Sequence, residues 1–591
     1  MNKKLLTMGI AALLMAGCSS DDVVGGEGDN GGASAVKGYV GLTITMPTGA
    51  GSRAVEYDDG AAGEYKVNDV TLVFSKWDGT SKHNIVQVTK LTPADWQKEG
   101  TGTDDITSFS LLPVVPVADK GADRVLVLVN STGAFAVESS TINENTGVIS
   151  RNGYIAPKGK TEADAYRTIE DLKAVQTITD GTGSTNHVLN DYYGTTTGWF
   201  MTSASIKNAD NLVPDDPQNQ LVKITPQGSK EAAMADAGKN VIYVERAVAK
   251  VSLTFNDAQE TTKKFSLGSG TGFAGDEVTI DGWALDITNK STFPLRRINA
   301  SWPDLDRFAP APAPGTAKPQ RYEWSEDNNY SSYTLAADFY RATEATASCY
   351  NSLYCLENTF DIDNMKQDRT TRAILRGQYV PAGISDAATN GIFRFGLSVK
   401  FYSRADMIDK VKAAVVASGA VTEAEMNTAT VRIEGLEAGK ADFTHNGTRN
   451  KIVVIKQGET TPVDLSGKID AIKGMLGQLT YYENGYCYYP VRIRHFADTP
   501  TSGTYEYGVK KWEGEATYNG TEPSVNYNEM WLGRYGVVRN NSYVINVTGV
   551  KAPGSPTIPE PTQNIDDEQF YYIQATVKVL SWTKRSQNVE L

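Results

Sequence analysis

The sequence predicts a mainly β protein made of two β-sandwich domains, with a few short helices and an additional strand at the C-terminus. Composition is the first reason, because 54 Gly and 29 Tyr among 591 residues, together with abundant Thr and Val, favour strands and turns. Chain length is the second, since 591 residues exceed what one hydrophobic core can fill. The third is the repeated alternation of apolar and polar residues in short runs between turn residues.

The first element in chain order is a secretory signal at residues 1–18. It has a basic start at Lys3 and Lys4, followed by an apolar run that is too short to cross a bilayer stably. The run ends in Leu-Met-Ala-Gly-Cys18, which resembles a bacterial lipoprotein signal. We therefore expect Cys18 to be acylated and to become the new N-terminus. An ordinary signal with a chance cysteine is the alternative.

A polar tether at residues 19–33 precedes the first predicted strand. The apolar face of this strand consists of Val36, Val40, Leu42, Ile44 and Met46. Residues 48–54 follow directly and contain small residues, with Arg53 as the single basic side chain. That composition is typical of an exposed, flexible site for a protease, and it ends at Arg53 and Ala54.

Strand patterns dominate the interior of the chain. Residues 69–74 and 124–130 are predicted core strands of a first domain, and residues 241–255 open a second. Residues 393–401 alternate throughout and predict one long strand. The proline-rich stretch 310–314 is predicted to be a surface loop.

Two segments have helical periodicity instead. Residues 162–174 predict a surface helix, and residues 404–417 predict an amphipathic helix. The apolar stripe of the second helix consists of Met407, Ile408, Val411, Ala414 and Val415.

The C-terminus contains a strand that has no sheet of its own in the sequence pattern. Residues 551–562 contain four prolines and predict an extended, semi-rigid tether. The strand that follows has Tyr571, Ile573, Ala575, Val577 and Val579 on one face. A terminal strand with one apolar face needs a partner sheet, so it either folds back onto its own chain or completes another molecule. The tether favours the second alternative.

Composition and motifs argue against nucleic-acid binding and against catalysis. The net charge is −13 without a long block of one sign, which does not suit a nucleic-acid partner. Residues 270–275 match G-x-G-x-x-G literally, but a strand pattern follows where a dinucleotide site needs a helix, so we predict a turn. The histidines are far apart in sequence, at His83, His187, His445 and His495. We therefore predict no catalytic residue, no metal site and no cofactor.

Two further features leave alternatives open. Besides Cys18 the chain has Cys349, Cys355 and Cys487, which allow at most one internal disulfide. Cys349 and Cys355 are close enough in sequence to form it, and buried free thiols are the alternative. The tyrosine-rich residues 481–490 could stack against sugars, but a tyrosine-rich β core is the favoured interpretation.

Several segments together resemble the type V pilins of Bacteroidales, specifically the family of the major subunit of short fimbriae. They are the lipoprotein signal, the strand that ends before Arg53, and the segments at 244–250 (Val-Glu-Arg-Ala-Val-Ala-Lys), 354–360, 488–495 and 535–546. The resemblance covers the length of the chain and is strongest at its two ends. The segment 535–546, before the tether and terminal strand, is its most specific part.

The resemblance implies a domain order. A signal at 1–18 and a propeptide at 19–53 would precede transthyretin-like β-sandwich domains at 54–240 and 241–550. The tether and a donor strand would occupy 551–591.

The resemblance also implies a mode of assembly. The precursor would reach the outer membrane as a lipoprotein, with its first strand filling a groove in its own fold. An arginine-specific protease would remove that strand, and the terminal strand of a neighbouring subunit would replace it. The product would be a head-to-tail homopolymer that, with accessory fimbrial subunits, forms a cell-surface fimbria and supports adhesion.

Two other functions remain open from the sequence. One is a surface carbohydrate-binding lipoprotein, whose terminal strand would fold back onto its own chain. The other is an accessory fimbrial subunit, either at the tip or as the anchor. An anchor would keep its first strand and lipid, and Arg53 in a flexible setting argues against that.

Overall fold

A computed structural model describes much of the chain. The described residues are 38–45, 57–58, 64, 66–99, 108–111, 115–117, 121–143, 148–175, 177–178, 198–206, 212–268, 270, 272–298, 322, 324–361, 364–396, 398–440, 442–495, 533, 535–564 and 573–582. Strands far outnumber helices among them, so the predicted mainly β class is confirmed.

The N-terminal half of the chain contains one large sheet and several short strands that pair outside it. Its elements are β1 (Gly38–Val40), β2 (Thr43–Thr45), β3 (Tyr57–Asp58), β4 (Val70–Trp77), β5 (His83–Leu91), β6 (Trp96–Glu99), β7 (Ser108–Leu111), β8 (Val115–Val117), β9 (Arg124–Val129), β10 (Phe135–Glu138), β11 (Thr141–Ile142), β12 (Ile149–Arg151), β13 (Tyr154–Pro157), α1 (Ile169–Ala174), β14 (Thr177–Ile178), β15 (Met201–Ser203), β16 (Val222–Lys223), α2 (Lys230–Asp236) and β17 (Val241–Arg246). The nine-stranded sheet has the order β5-β4-β9-β15-β17-β2-β7-β6, and β16 also pairs with β9.

The predicted core strands of this half are confirmed as β4 and β9. All six residues of β9 are buried, because the strand lies inside the sheet and both of its faces are covered. The helix predicted at 162–174 is only partly right. Residues 162–164 form a short 3-10 turn, and α1 begins at Ile169 after Thr168, whose hydroxyl accepts a hydrogen bond from the Asp171 backbone N–H. A side chain that caps the helix start competes with a continuous helix through that point.

The C-terminal half is a two-sheet sandwich with an inserted module. Its elements are β18 (Val248–Phe255), β19 (Lys264–Ser266), β20 (Glu277–Asp286), β21 (Thr288–Asn289), β22 (Ser291–Thr292), α3 (Leu335–Asp338), β23 (Phe339–Tyr340), β24 (Leu353–Leu356), β25 (Arg372–Val380), α4 (Ala387–Asn390), β26 (Ile392–Phe395), β27 (Phe401–Tyr402), α5 (Arg404–Ala417), α6 (Glu423–Met426), β28 (Thr430–Glu434), β29 (Gly439–Lys440), β30 (Lys451–Ile455), α7 (Ile469–Leu476), β31 (Leu479–Tyr482), β32 (Tyr486–Arg492), β33 (Asn541–Val550) and β34 (Ile573–Trp582). One sheet has the order β24-β18-β33-β34-β3 and the other β19-β20-β25-β32.

The two sheets share one hydrophobic core. Tyr543 and Ile545 of β33 belong to the same buried cluster as Trp283 of β20 and Leu375 of β25. Tyr489 is buried in this core too, so the tyrosine-rich segment is core and the favoured interpretation is confirmed. The glycine-rich residues 270–275 connect β19 to β20 as predicted, and Gly275 has a positive φ of 85° that suits a turn.

The inserted module runs from β26 to β31 and has a core of its own. Its predicted helix is confirmed as α5, with the predicted bounds, and Ser403 caps it by accepting from the Asp406 N–H. The strand predicted at 393–401 is wrong. Gly396 has a φ of 50°, the chain turns there, and β26 and β27 pair as a hairpin in which Phe393 lies opposite Tyr402.

Cys349, Cys355 and Cys487 are free and buried. Cys349 and Cys355 do not form the disulfide that their spacing allowed. Burial raises the pKa of the Cys349 thiol to about 11 and that of the Cys355 thiol to about 12, so both stay protonated at neutral pH.

Candidate functional site

The structure divides the predicted first strand in two. β1 pairs antiparallel with β8 in a separate two-stranded sheet, and β2 lies inside the large sheet. Residues 43–45 of β2 pair in parallel with 241–243 of β17 on one side and antiparallel with 108–110 of β7 on the other. Val40, Leu42 and Ile44 are at most 1% exposed and belong to the first hydrophobic core. Complete burial of three such side chains contributes about 5–9 kcal/mol before entropic costs.

The residues before β2 are held equally closely. Tyr39 and Gln227 exchange two backbone hydrogen bonds of 2.8 Å each, and the Asn240 side chain donates to the Gly41 carbonyl at 3.0 Å. Helix α2 packs directly on this stretch, because a Cβ at Gly41 would lie 2.3 Å from the Ala233 carbonyl oxygen. The segment 38–45 therefore fills a slot whose walls are the two neighbouring strands and whose cover includes α2.

The C-terminal strand lies on the other half of the molecule. β34 pairs antiparallel with β33 of the same chain, from Ile573 opposite Val550 to Ser581 opposite Asn541. In this register Val577 lies opposite the buried Ile545, and Val579 opposite the buried Tyr543. On its other edge, only Ser581 and Trp582 pair with a described strand, the two-residue β3.

The proline-rich tether contacts its own domain, contrary to our expectation that it would hold the terminal strand away. Ser555 and Tyr488 exchange two backbone hydrogen bonds of 2.7 and 3.0 Å. Farther along, Arg341 forms an ion pair with Glu560 at 3.2 Å, and the Gln367 N–H donates to the Asn564 carbonyl at 2.9 Å. Proline content predicted the stiffness of the tether but could not reveal these contacts.

A buried charged cluster joins the two halves of the molecule. The Arg296 guanidinium donates two hydrogen bonds of 2.9 Å to the Glu245 carboxylate, and Arg539 donates to Glu357 at 3.0 Å. All four side chains are at most 2% exposed. The Arg296–Glu245 pair is bidentate and fully buried, and pairs of this kind fix geometry strongly.

Three of the segments that carried the family resemblance meet in this cluster. Glu245 and Arg246 come from 244–250, Glu357 from 354–360, and Arg539 from 535–546. The Arg246 backbone N–H donates to the Asn540 side chain at 3.1 Å, which ties the first segment to the third. The sequence motifs therefore form the joint between the two halves.

Glu64 fastens the chain downstream of Arg53 to the same joint. Its carboxylate lies 3.3 Å from the Lys250 ammonium and accepts a hydrogen bond from the Tyr354 hydroxyl. Its carbonyl accepts from the Arg246 guanidinium at 3.2 and 3.3 Å. Glu64 is 1% exposed, so the chain is anchored at this point in the joint between the two halves.

Several predicted residues lie outside the described part of the chain. They are Cys18, Val36, Met46, Arg53, Ala54, Tyr571 and His187. Acylation, proteolysis and strand donation therefore remain predictions.

Two further findings concern membrane spans and metal binding. Within the described ranges no helix has the length and apolar character needed to cross a membrane. In the same part of the chain no three His, Cys, Asp or Glu side chains gather in a way that could bind a metal ion.

Residues 504–588, which include β33, the tether and β34, match a family model described as "Major fimbrial subunit protein type IV, Fimbrillin, C-terminal". The C-terminal part of this chain is similar to fimbrillins. The predicted resemblance to pilins is thereby confirmed, and the matched family is one of structural subunits and not of enzymes. The match supports a role as a fimbrial subunit.

The fimbrillin-like chain is also similar to solved structures. One is a putative cell adhesion protein of Parabacteroides distasonis, with 12% identity, 94% of this chain and 100% of the other covered, and a TM-score of 0.34. A fimbrilin of Porphyromonas gingivalis has 14% identity, 93% and 100% coverage and a TM-score of 0.33. The tip fimbrial protein Mfa3 of the same organism has 12% identity, 92% and 100% coverage and a TM-score of 0.27. No curated protein sequence matches the chain.

Sequence reasoning missed the residues that hold the two halves together. Glu64, Arg296, Glu357 and Arg539 have no local pattern, and the oppositely charged or hydroxyl partners described above lie 51 to 290 residues away in sequence. The only sequence feature that pointed to these residues was indirect: three of the segments that carried the resemblance contain a charged residue among apolar ones.

Proposed function

We propose that the chain is the polymerising subunit of a cell-surface fimbria, assembled by donor-strand exchange that a protease triggers. The observation that carries the proposal is the position of β2, a strand near the N-terminus held between two other strands with its apolar residues in the core. Loss of β2 without replacement would leave two open edges inside a sheet, which is a site for strand addition. Strand addition supplies main-chain hydrogen bonds and side-chain pockets together.

In the proposed order of events, a lipid on Cys18 holds the precursor at the outer membrane. An arginine-specific protease cuts between Arg53 and Ala54, and the segment with β1 and β2 leaves. The terminal strand of a neighbouring copy then fills the slot between β17 and β7. Each copy receives a strand in its N-terminal half and donates its own C-terminal strand. Because this head-to-tail contact uses two different surfaces, it does not close into a ring and a filament grows.

The energetics support an exchange that needs the cut. Tyr571, Ile573, Ala575, Val577 and Val579 offer about 7–15 kcal/mol of gross burial, before ordering costs, at ~1.5–3 kcal/mol each. In the uncleaved chain their competitor is part of the same molecule and has a high effective concentration in the slot. An incoming strand can compete once that connection is broken.

N-terminal sequencing of protein sheared from the cell surface tests the proposal, together with the variant Arg53→Ala. We expect wild type to begin at Ala54, and Arg53→Ala to remain a lipid-linked, unpolymerised monomer. Lys37→Ala is the matched control, since it removes a basic residue upstream and should polymerise normally. Normal fibres from Arg53→Ala would refute the role of this cut.

A second candidate function, an accessory subunit that keeps its terminal strand, has one observation in its favour. β34 pairs with β33 of its own chain along almost its whole length. A strand that stays there would suit an accessory subunit or a carbohydrate-binding surface lipoprotein. The two candidates differ in the N-terminus of the mature protein, because an anchor or binding lipoprotein would begin at acylated Cys18.

A further inference from the structure

The inserted module has a surface groove between α5, α7 and the β26–β27 hairpin. Its volume is about 460 Å³, which lies within the ~300–1,000 Å³ of sites that bind small molecules. The groove lies in the module with its own core, and the slot of β2 belongs to the other half of the molecule. It therefore represents a feature that strand exchange does not use.

The groove exists because one stripe of α5 carries small side chains. Lys410, Ala413, Ala414 and Ala417 recur at the spacing of a single helix face. Three methyl groups leave space between α5 and α7, where larger side chains would have closed the helix pair. On the far side, Met475 of α7 is 52% exposed, so the groove presents apolar surface to solvent.

Lys410 gives the groove its charge. Its ammonium lies 4.6 Å from the ring centroid of Tyr402 and 5.3 Å from that of Phe395. No described carboxylate forms an ion pair with it. Asp406, one turn earlier on α5, is engaged at the helix start, where it accepts hydrogen bonds of 2.8 and 3.1 Å from Ser403.

A second cation acts on the same aromatic wall. The Lys400 ammonium lies 5.2 Å from the Tyr402 ring centroid. Two ammonium groups lie beside one ring, and the Asp406 carboxylate, which interacts with both, offsets one of them, so this rim keeps a positive charge in a chain whose net charge is −13. A ligand with one negative group would be attracted to the rim, while its apolar part could cover the alanines and Met475.

We propose that this groove binds a small amphiphilic carboxylate. The apolar body of the ligand lies along Ala413, Ala417 and Met475, and its carboxylate accepts hydrogen bonds from the Lys410 ammonium. A single flexible ammonium suits one carboxylate better than a polyphosphate, which arginine forks bind more specifically. The proposal is independent of donor-strand exchange, because it concerns the module alone.

Methyl NMR on the uncleaved subunit, labelled at methionine and alanine methyl groups, measures binding at the groove directly. The probes are octanoate, 1-octanol and octylammonium, which share a chain length and differ in charge. We expect octanoate to shift the Met475 methyl signal in a saturable way, with an affinity about tenfold higher than that of 1-octanol. Octylammonium should bind more weakly than the alcohol.

Variants separate the charge from the groove. Lys410→Met should remove the preference for octanoate and leave 1-octanol binding unchanged. Ala417→Leu should weaken both, because it fills the groove from an exposed position that tolerates the larger side chain. Lys412→Met is the matched control: Lys412 lies on the same helix, pairs with Asp409 at 3.2 Å, and should leave both affinities unchanged.

Three results would overturn the proposal. The first is equal affinity for all three probes, and the second is a preference for octanoate that survives Lys410→Met. The third is a Met475 signal that ignores the probes but moves with protein concentration, which would make the groove a contact between copies.

Discussion

The strands near the two ends of this chain have the same alternating pattern, yet the structure places them in opposite situations. β2 lies inside its sheet with a partner on each side and with Ile44 0% exposed. β34 has one long partner, β33, and its other edge meets only the short β3 among the described strands. The first strand is therefore part of a core, and the second is an addition to the side of a sheet. A pattern of alternation reveals which face of a strand is apolar but not how many neighbours the strand has.

This difference predicts a large effect on unfolding for changes in β2. Ile44→Asp places a carboxylate in the core without a partner and should reduce the free energy of unfolding of the uncleaved subunit by on the order of 4–5 kcal/mol. Urea unfolding measures it, with cleavage prevented by Arg53→Ala. Thr45→Asp is the control, because Thr45 is the next residue in the strand and is half-buried, and it should cost about 1 kcal/mol. Equal costs would mean that β2 does not occupy the core.

The second-largest effect on unfolding should come from Glu64, which holds the chain beyond the predicted cut. Glu64→Ala leaves the buried Lys250 ammonium without its carboxylate and should reduce the free energy of unfolding by about 3 kcal/mol. Glu64→Ala combined with Lys250→Met removes both charges and should recover part of the loss. If the double variant is no more stable than the single one, the ion pair is not the cause.

Deletion of residues 570–591 should affect the isolated subunit less than either change, because β34 lies at the side of its sheet. We expect a folded monomer that can accept a strand but cannot donate one. Mixed with wild type, it should cap filaments and shorten them in electron micrographs. An insoluble or unfolded product would instead assign β34 to its own domain and favour the carbohydrate-binding lipoprotein.

The smallest effects should come from single changes within β34, and their size should depend on whether the changed residue lies on the predicted apolar face of the strand or on the opposite face. Val577→Asp should weaken polymerisation, since position 577 lies on the predicted apolar face and opposite Ile545. Thr576→Asp, opposite the half-buried Asn546, should change the free energy of unfolding by at most about 0.5 kcal/mol and leave filament length unchanged. Sedimentation of assembled filaments compares the two, and equal defects would show that the face does not matter.

Local periodicity was sufficient for much of the fold and insufficient for its connections. β4 and β9 follow from nearly continuous apolar runs, which are buried on both faces, and α5 follows from an apolar stripe that lies against the core of the inserted module. The hairpin at 392–402 was missed because alternation continues through its turn, although Val399 there is 55% exposed. The slot of β2 and the joint at Glu64 depend on residues far apart in sequence, so no local pattern could place them.

Gly41 makes the position of α2 depend on which strand fills the slot. Its hydrogen atoms are all that fits beneath α2, since a Cβ at this position would collide with the Ala233 carbonyl. Residues 570–582 contain no glycine. A strand that replaces the original one and brings a side chain to this position must lift α2 from the sheet. Helix α2 would then occupy one position before strand exchange and another after it, and this displacement would distinguish the two states of each subunit.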